Sequence, residues 1–348
     1  MLRNSVNTLV LKYNGENDVI AKAASVLKKG GLVAFPTETV YGLGANGLDP
    51  DAASKIYAAK GRPVDNPLIL HIASFGDLES VVSEIPEKAE KLAQAFWPGP
   101  LTLVLKKHSR VPDAVTCGLP AAAVRFPKNP VAAKLIRAAG FPLAAPSANS
   151  SGKPSPTKAS HVAFDLSGKI DMIVDGGTCS LGIESTIIDA SKNVLRLLRP
   201  GAVTLEDIER EVGRIEAGAS VETAGFETAP EAPGMKYKHY SPLASVTVVS
   251  GDQKKTVAEI VKRVKLSGKK TGVLTTDATA RFYETTPTLV MSLGSGANDA
   301  AKNLFATLRR LDFYGVEEVY AEALEETGIG LAVMNRLKKA AANNIVYV

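Results

Sequence analysis

Two basic residues on one glycine- and proline-shaped loop, Lys60-Gly61-Arg62-Pro63, with Asn66-Pro67-Leu68 just beyond it, are the part of this chain best equipped for chemistry. A compact ammonium and a fork-shaped guanidinium two residues apart can grip a phosphate from two directions. Upstream lies Phe35-Pro36-Thr37-Glu38-Thr39-Val40-Tyr41-Gly42-Leu43-Gly44, where a strand over Leu32 to Phe35 runs into two threonine hydroxyls. Gly42 and Gly44 are expected to free the backbone there for turns and for close approach to a small polar ligand. Together the two segments point to nucleotide chemistry.

An α/β framework must hold these loops. Val19, Ile20, Ala23, Val26 and Leu27 fall on one side of a helix from Asp18 to Lys29, which Gly30-Gly31 stops before the strand at Leu32. Further short apolar strands are expected at Leu68 to Ile72, Leu101 to Leu105, Ala122 to Arg125, Ile173 to Val174, Thr186 to Asp189 and Val194 to Leu198. Helices are expected near Asp51 to Ala59, Glu87 to Phe96 and Pro130 to Ala139. From Gly213 to Pro233 the composition turns to Ala, Gly, Glu, Thr and Pro with little periodicity, which is that of a linker. A second unit follows, with strands at Val246 to Val249, Thr271 to Leu274, Thr288 to Met291 and Val316 to Tyr320. Helices at Thr256 to Leu266, Asp299 to Tyr314 and Gly330 to Ala342 alternate with them, which predicts a small doubly wound parallel sheet. Gly294-Ser295-Gly296 stands between a strand and a helix, but Asp299 occupies the place of the third glycine that a dinucleotide fingerprint requires.

Composition narrows the class without naming an activity. A chain of 348 residues, 45% hydrophobic and 22% charged, can bury the cores of two domains. No apolar run is long enough to cross a bilayer, and Asn4, Asn7 and Lys12 interrupt any signal-peptide core, so a cytoplasmic protein without a membrane partner is expected. Cys117 and Cys179 form no CxxC pair and read as free thiols, which argues against a structural zinc. A net charge of +5 is compatible with RNA contact and is too small to argue for it.

More blocks follow the first two: Trp97-Pro98-Gly99-Pro100-Leu101-Thr102, Val124-Arg125, Ala145-Pro146-Ser147-Ala148-Asn149 and Pro154-Ser155-Pro156-Thr157. After them come Asp175-Gly176-Gly177, Glu184-Ser185-Thr186-Ile187 and Leu198-Arg199-Pro200-Gly201. In this order they resemble the YrdC-like family of threonylcarbamoyl-AMP synthases. The stretch Ala232-Pro233-Gly234-Met235-Lys236-Tyr237-Lys238-His239-Tyr240-Ser241-Pro242 looks like the linker of its long, two-domain members. The resemblance covers nearly the whole chain, is strongest from Leu32 to Gly201 and is weakest over the last hundred residues.

The resemblance implies a catalytic domain over residues 1–212 with a twisted mixed sheet and a concave face, a linker over 213–243 lying across the active site, and a Rossmann-like domain over 244–348. It implies ATP-dependent synthesis of L-threonylcarbamoyladenylate from L-threonine and bicarbonate or CO2, with release of pyrophosphate, on the way to N6-threonylcarbamoyladenosine at position 37 of tRNA. Mg²⁺ accompanies ATP in this reading, with no organic cofactor and no assigned metal ligands. Lys60 and Arg62 become the catalytic phosphate clamps, joined at ATP by Asn66, Ser147, Asn149, Ser155 and Arg199, with Tyr237 and Tyr240 of the linker as a lid. Thr39, His71, Arg125, Ala145 and Ser185 become the threonine contacts, with Arg125 forking the carboxylate.

By residue type alone several of these have plainer readings. Lys60, Arg62 and Arg199 could be solvated ion pairs, and His71, closing the apolar run Leu68 to Leu70, could be a core histidine. Tyr237 and Tyr240 could simply pin a second domain, and the roles of Glu38 and Glu184 stay open between metal support and local charge partner. The expected partners are a downstream threonylcarbamoyl transferase and, weakly, double-stranded RNA or tRNA. Carbamoyl transfer of the kind found in hydrogenase maturation proteins would call for zinc-finger cysteines and an acylphosphatase segment, neither of which is visible.

Overall fold

The computed structural model of the chain describes residues 6–218 and 240–348, so Tyr237 and most of the expected linker lie outside the described residues. Two compact units are present. Of the described residues, the first unit holds 6–151, 155–180 and 184–218, and the second holds 152–154, 181–183 and 240–348.

The first unit is built on eleven strands: β1 (Leu9–Lys12), β2 (Val33–Pro36), β3 (Tyr41–Asn46), β4 (Ile69–His71), β5 (Leu101–Lys106), β6 (Ala121–Arg125), β7 (Leu143–Ala144), β8 (Met172–Asp175), β9 (Thr186–Asp189), β10 (Arg196–Arg199) and β11 (Glu216–Ala217). Their order across the sheet is β1-β8-β2-β3-β7-β4-β6-β5-β9-β10-β11. The sheet is mixed, as expected: β4 runs parallel to β6, whereas β6 runs antiparallel to β5 and β2 antiparallel to β3. β11 lies within the stretch read as linker and still pairs with β10.

Local chemistry sets the helices that flank the site. Asp49 caps the helix Pro50–Lys60 by accepting from the N–H groups of Asp51 and Ala52, Pro50 stands in its first turn, and Gly61 ends it in the left-handed conformation at φ 61°. That stop places Lys60 on the last helical turn and turns the chain sharply toward Arg62. Asn129 caps the helix Pro130–Ala139 in the same way, and that helix packs Val131, Ala132, Leu135 and Ile136 with Val19, Ile20, Ala23 and Leu27 of the helix Asn17–Lys28.

One expectation is overturned. Gly42 and Gly44 are not turn residues: both lie inside β3, and neither has a positive φ. Phe35 faces Gly42 across the β2–β3 ladder, and a Cβ built on Gly44 would lie 2.8 Å from Phe35 Cε1. The glycines make room for a buried aromatic ring, and the stretch that carries them is a strand.

The second unit has five strands, β12 (Ser245–Ser250), β13 (Thr271–Thr275), β14 (Leu289–Ser292), β15 (Glu318–Glu322) and β16 (Ile345–Tyr347), in the order β14-β13-β15-β12-β16. Every pairing is parallel. Helices Gln253–Leu266, Ala297–Phe313 and Ile329–Ala340 complete the alternation that the sequence predicts. The Gly294–Gly296 turn is closed on its own carboxylate, since Asp299 Oδ2 accepts from the N–H of Ser295 at 3.0 Å and from its hydroxyl at 2.6 Å. A negative side chain there opposes a phosphate.

Candidate active site

β4, β6 and β5 lie side by side in the first unit, and their register sets His71 beside Arg125 and Arg125 beside Thr102. Register partners on neighbouring strands project to the same face, so three polar side chains form a row, flanked in register by Leu143 on β7 and Ile187 on β9. All three are buried. The row continues through side-chain contacts, because Thr102 Oγ1 lies 2.7 Å from Ser185 Oγ, which accepts from Arg199 Nη2 at 3.1 Å. Arg199 Nε also donates to the carbonyl of Ser185 at 3.0 Å.

Arg125 is held on three sides. Nη2 donates to Glu38 Oε1 at 2.6 Å, Nη1 to Thr39 Oγ1 at 2.8 Å and Nε to the Gly99 carbonyl at 3.3 Å. Thr37 Oγ1 donates to the Val40 carbonyl at 2.6 Å and lies 2.8 Å from Thr39 Oγ1, so the Thr39 proton goes to Thr37 and its lone pair to Arg125. Glu38, whose role the sequence leaves open, is therefore the charge partner of Arg125. Burial alone would raise its pKa, but the adjacent guanidinium and N–H donors outweigh burial and hold it below the usual carboxylate range.

His71 is neutral for two reasons, of which burial is the larger and the positive charge of Arg125 the smaller; together they push it down to about 3. Its Nδ1 lies 3.1 Å from the Ile69 carbonyl, the same oxygen that accepts the N–H of Ala145 at 2.8 Å. A carbonyl can only accept, so Nδ1 carries the hydrogen and Nε2 is left as an acceptor.

The expected nucleotide residues form two further clusters. Lys60 Nζ donates to the carbonyls of Ser147 and Asn149 and to Asn149 Oδ1, at 2.6 Å for the Asn149 carbonyl and 3.3 Å for its side chain. Ser147 Oγ donates in turn to Asn149 Oδ1 at 2.5 Å. Three acceptors match the three N–H groups of an ammonium, so in this conformation Lys60 braces the 147–149 segment. That segment runs along β3, with Leu43 N–H bonded to the Pro146 carbonyl and Ala148 N–H to that of Tyr41.

Arg62 Nη2 bonds the carbonyls of Asn66 and Pro67 at 3.0 and 3.1 Å, closing the loop that the sequence singled out. Ser155 donates to Glu184 Oε1 at 2.5 Å. Tyr240 is placed in the second unit, where its ring stacks on Phe305 at 5.2 Å and lies 5.8 Å from the Arg336 guanidinium. That packing accounts for its ring without a nucleotide.

Thr102 and the pairing of Glu38 with Arg125 were not legible as site features. Both sit inside blocks that sequence reading singles out, and the alternation along β5 is the signal that could have flagged Thr102. Among the described residues, no group of three His, Cys, Asp or Glu side chains could hold a metal ion, and no helix is long and apolar enough to cross a membrane. Both cysteines are free, and burial pushes Cys179 up to about 12.

A family model described as "Telomere recombination" matches residues 25–201, and a second, described as "Threonylcarbamoyl-AMP synthase, C-terminal domain", matches 203–342. A threonylcarbamoyl-AMP synthase of Pyrococcus abyssi is 52% identical over 332 residues, covering 94% of this chain and 95% of that protein. The chain belongs to the threonylcarbamoyl-AMP synthase family. Another such synthase, from Bacillus subtilis, is 46% identical and covers 94% of each chain. Among solved structures of the family, that of P. abyssi Sua5 complexed with L-threonine matches with a TM-score of 0.92 at 49% identity, covering 98% of this chain and 99% of that one.

Proposed function

We propose that this enzyme makes L-threonylcarbamoyladenylate from L-threonine, bicarbonate or CO2, and ATP, with release of pyrophosphate, to supply the N6-threonylcarbamoyl group at position 37 of tRNA. The observation that carries this reading is the buried row of His71, Arg125 and Thr102, extended through Ser185 to Arg199. What supports the reading is that these residue types could serve a carboxylate, a hydroxyl and a phosphate.

In this reading the threonine carboxylate pairs with Arg125, its β-hydroxyl donates to Nε2 of His71, and Thr39, Ala145 and Ser185 close the pocket around it. A pocket that tests one methyl separates threonine from serine by roughly 1 to 3 kcal/mol. The amine lone pair attacks the carbon of CO2, a C–N bond forms as one C=O π pair moves onto oxygen, and the nitrogen's extra proton passes to water. A carbamate oxygen then attacks the α-phosphorus of ATP, and the bond to the bridging oxygen breaks with its electron pair departing on pyrophosphate. This adenylyl transfer makes the enzyme a nucleotidyltransferase, with Lys60, Arg62 and Arg199 spreading the charge that develops on the phosphates. Asn66, Ser147, Asn149 and Ser155 complete the nucleotide contacts.

Mg²⁺ finds no protein cage among the described residues: both oxygens of Glu38 are taken by Arg125 and by the N–H groups of Lys128 and Asn129, and Glu184 accepts from Ser155. It belongs to the proposal only as a companion of the nucleotide, held by phosphate oxygens and water. A transferase that carries the labile mixed anhydride to tRNA is the proposed downstream partner, with weak, salt-sensitive RNA contact as a further one and the cytoplasm as the compartment.

The test is incubation with ATP, threonine and bicarbonate, following pyrophosphate and adenylate together. Matched yields that require all three substrates are expected; pyrophosphate release indifferent to threonine would sink the reading.

A further inference from the structure

Arginine–carboxylate pairs are frequently two-pronged, a geometry that adds both energy and specificity. The pair of Glu38 and Arg125 is not. Although both side chains are buried, Glu38 touches Arg125 through Oε1 and Nη2 alone, at 2.6 Å. Its other oxygen, Oε2, accepts the N–H groups of Lys128 at 3.2 Å and Asn129 at 3.3 Å. The carboxylate is thus fixed to the turn that opens the helix Pro130–Ala139, and it holds the guanidinium from one side. Thr39 takes one N–H of Nη1 and Gly99 takes Nε. Among the described residues, three of the five N–H groups of Arg125 are engaged, and one remains on each terminal nitrogen.

We propose that Glu38 is a positioning residue: anchored by backbone N–H groups, it turns Arg125 so that the remaining pair of N–H groups meets the carboxylate of the amino-acid substrate. This inference deepens the functional reading above and rests on it. It assigns to Glu38 a job that depends on where its negative charge is fixed. Since Glu38 already cancels the charge of Arg125, an incoming carboxylate meets a nearly neutral pair, and its affinity derives from hydrogen-bond geometry more than from net charge.

That distinction gives the test its sign. Glu38→Gln keeps the shape and one acceptor oxygen but removes the charge that holds the guanidinium. If Glu38 positions Arg125, L-threonine binds about 10- to 100-fold more weakly, by analogy with the range found for groups that orient metal-ligating side chains. The KM for ATP should stay within about twofold, as expected for a site that does not share this contact. If Glu38 merely neutralises Arg125, the unmasked guanidinium attracts the carboxylate more strongly, and threonine binds more tightly. Calorimetric titration of the full chain with L-threonine decides between them, with thermal melting to confirm folding.

Adding Glu38→Gln to Arg125→Ala should leave the residual threonine affinity unchanged, whereas independent structural effects would add. Glu38→Asp, which keeps the charge but shortens the reach, should also weaken threonine binding, and it carries the test if Glu38→Gln does not fold. Tighter or unchanged threonine binding in the folded variant overturns the inference alone. Failure of the wild-type chain to bind L-threonine overturns the functional reading and this inference with it.

Discussion

In the first unit, Arg125 and Glu38 meet across 87 positions of sequence, and each terminal nitrogen of the guanidinium keeps an N–H beyond its contacts with the described residues. In the second unit, Glu322 at the end of β15 is equally withdrawn from water, yet it is ringed by the hydroxyls of Thr275 at 2.8 Å, Thr279 at 2.6 Å and Tyr283 at 2.5 Å. Two buried carboxylates therefore do different work. Glu322 is satisfied by neutral donors from its own unit, which is how a polar group is made safe inside a core. Glu38 is satisfied too, by two backbone N–H groups and by a cation whose own capacity is only partly used. Buried charge alone does not single out a candidate site; unspent donor capacity beside it is what distinguishes Arg125.

The strongest way to break this comparison is Arg125→Ala. It strands Glu38 in the interior, at an expected cost of about 3 to 5 kcal/mol in urea unfolding. It should also weaken threonine binding far more than ATP binding in calorimetric titrations. Equal weakening of both ligands would move Arg125 to a structural role or to the phosphates. Lys60→Ala and Arg62→Ala come next. Each is expected to slow pyrophosphate release roughly 30- to 1000-fold, that is by about 2 to 4 kcal/mol, while circular dichroism stays native. Wild-type turnover in either would remove that residue from the nucleotide site.

Glu322→Gln sharpens the other side of the comparison. It should lower stability by about 1 to 3 kcal/mol through a disturbed hydroxyl ring and leave both KM values where they were. A changed KM with undiminished stability would show that the second unit also holds a ligand group.

The last expected effect is a slope. His71 titrates near 3 in the folded chain against an ordinary 6.5, so between those values the unfolded chain binds the extra proton and stability rises with pH. The contribution is complete above 6.5 and fades as pH falls toward 3, by at most about 1.4 kcal/mol per pH unit. His71→Asn should flatten the pH dependence of the melting temperature across pH 4 to 6.5; an unaltered slope would mean that the imidazole is not held neutral.

Elements with strong local signals were legible in the sequence. Helices Glu87–Phe96 and Pro130–Ala139 fall where the sequence placed them, and both bury apolar residues recurring at helical spacing. β3 was not legible, because its two glycines carry turn propensity and only the facing ring of Phe35 explains them. β16 is a three-residue strand whose pairing with β12 depends on a partner almost a hundred residues away. At the site, residue types were legible and their partners were not. Arg125 could be read as a carboxylate fork, but that Thr39 and Glu38 would hold it, or that Lys60 would brace the carbonyls of 147–149, depends on contacts that local pattern does not encode.

The row of His71, Arg125 and Thr102 has a consequence for how this chain can change over time. Its members come from three separate strands and share a face only because the ladders are in register. Side chains alternate faces with a period of two, so inserting or deleting one residue in β4, β5 or β6 would turn the affected side chain to the opposite face. Insertions that accumulate in descendants of this sequence should therefore collect in the connecting loops, and the lengths of these three strands should drift far less than the identities of the residues within them.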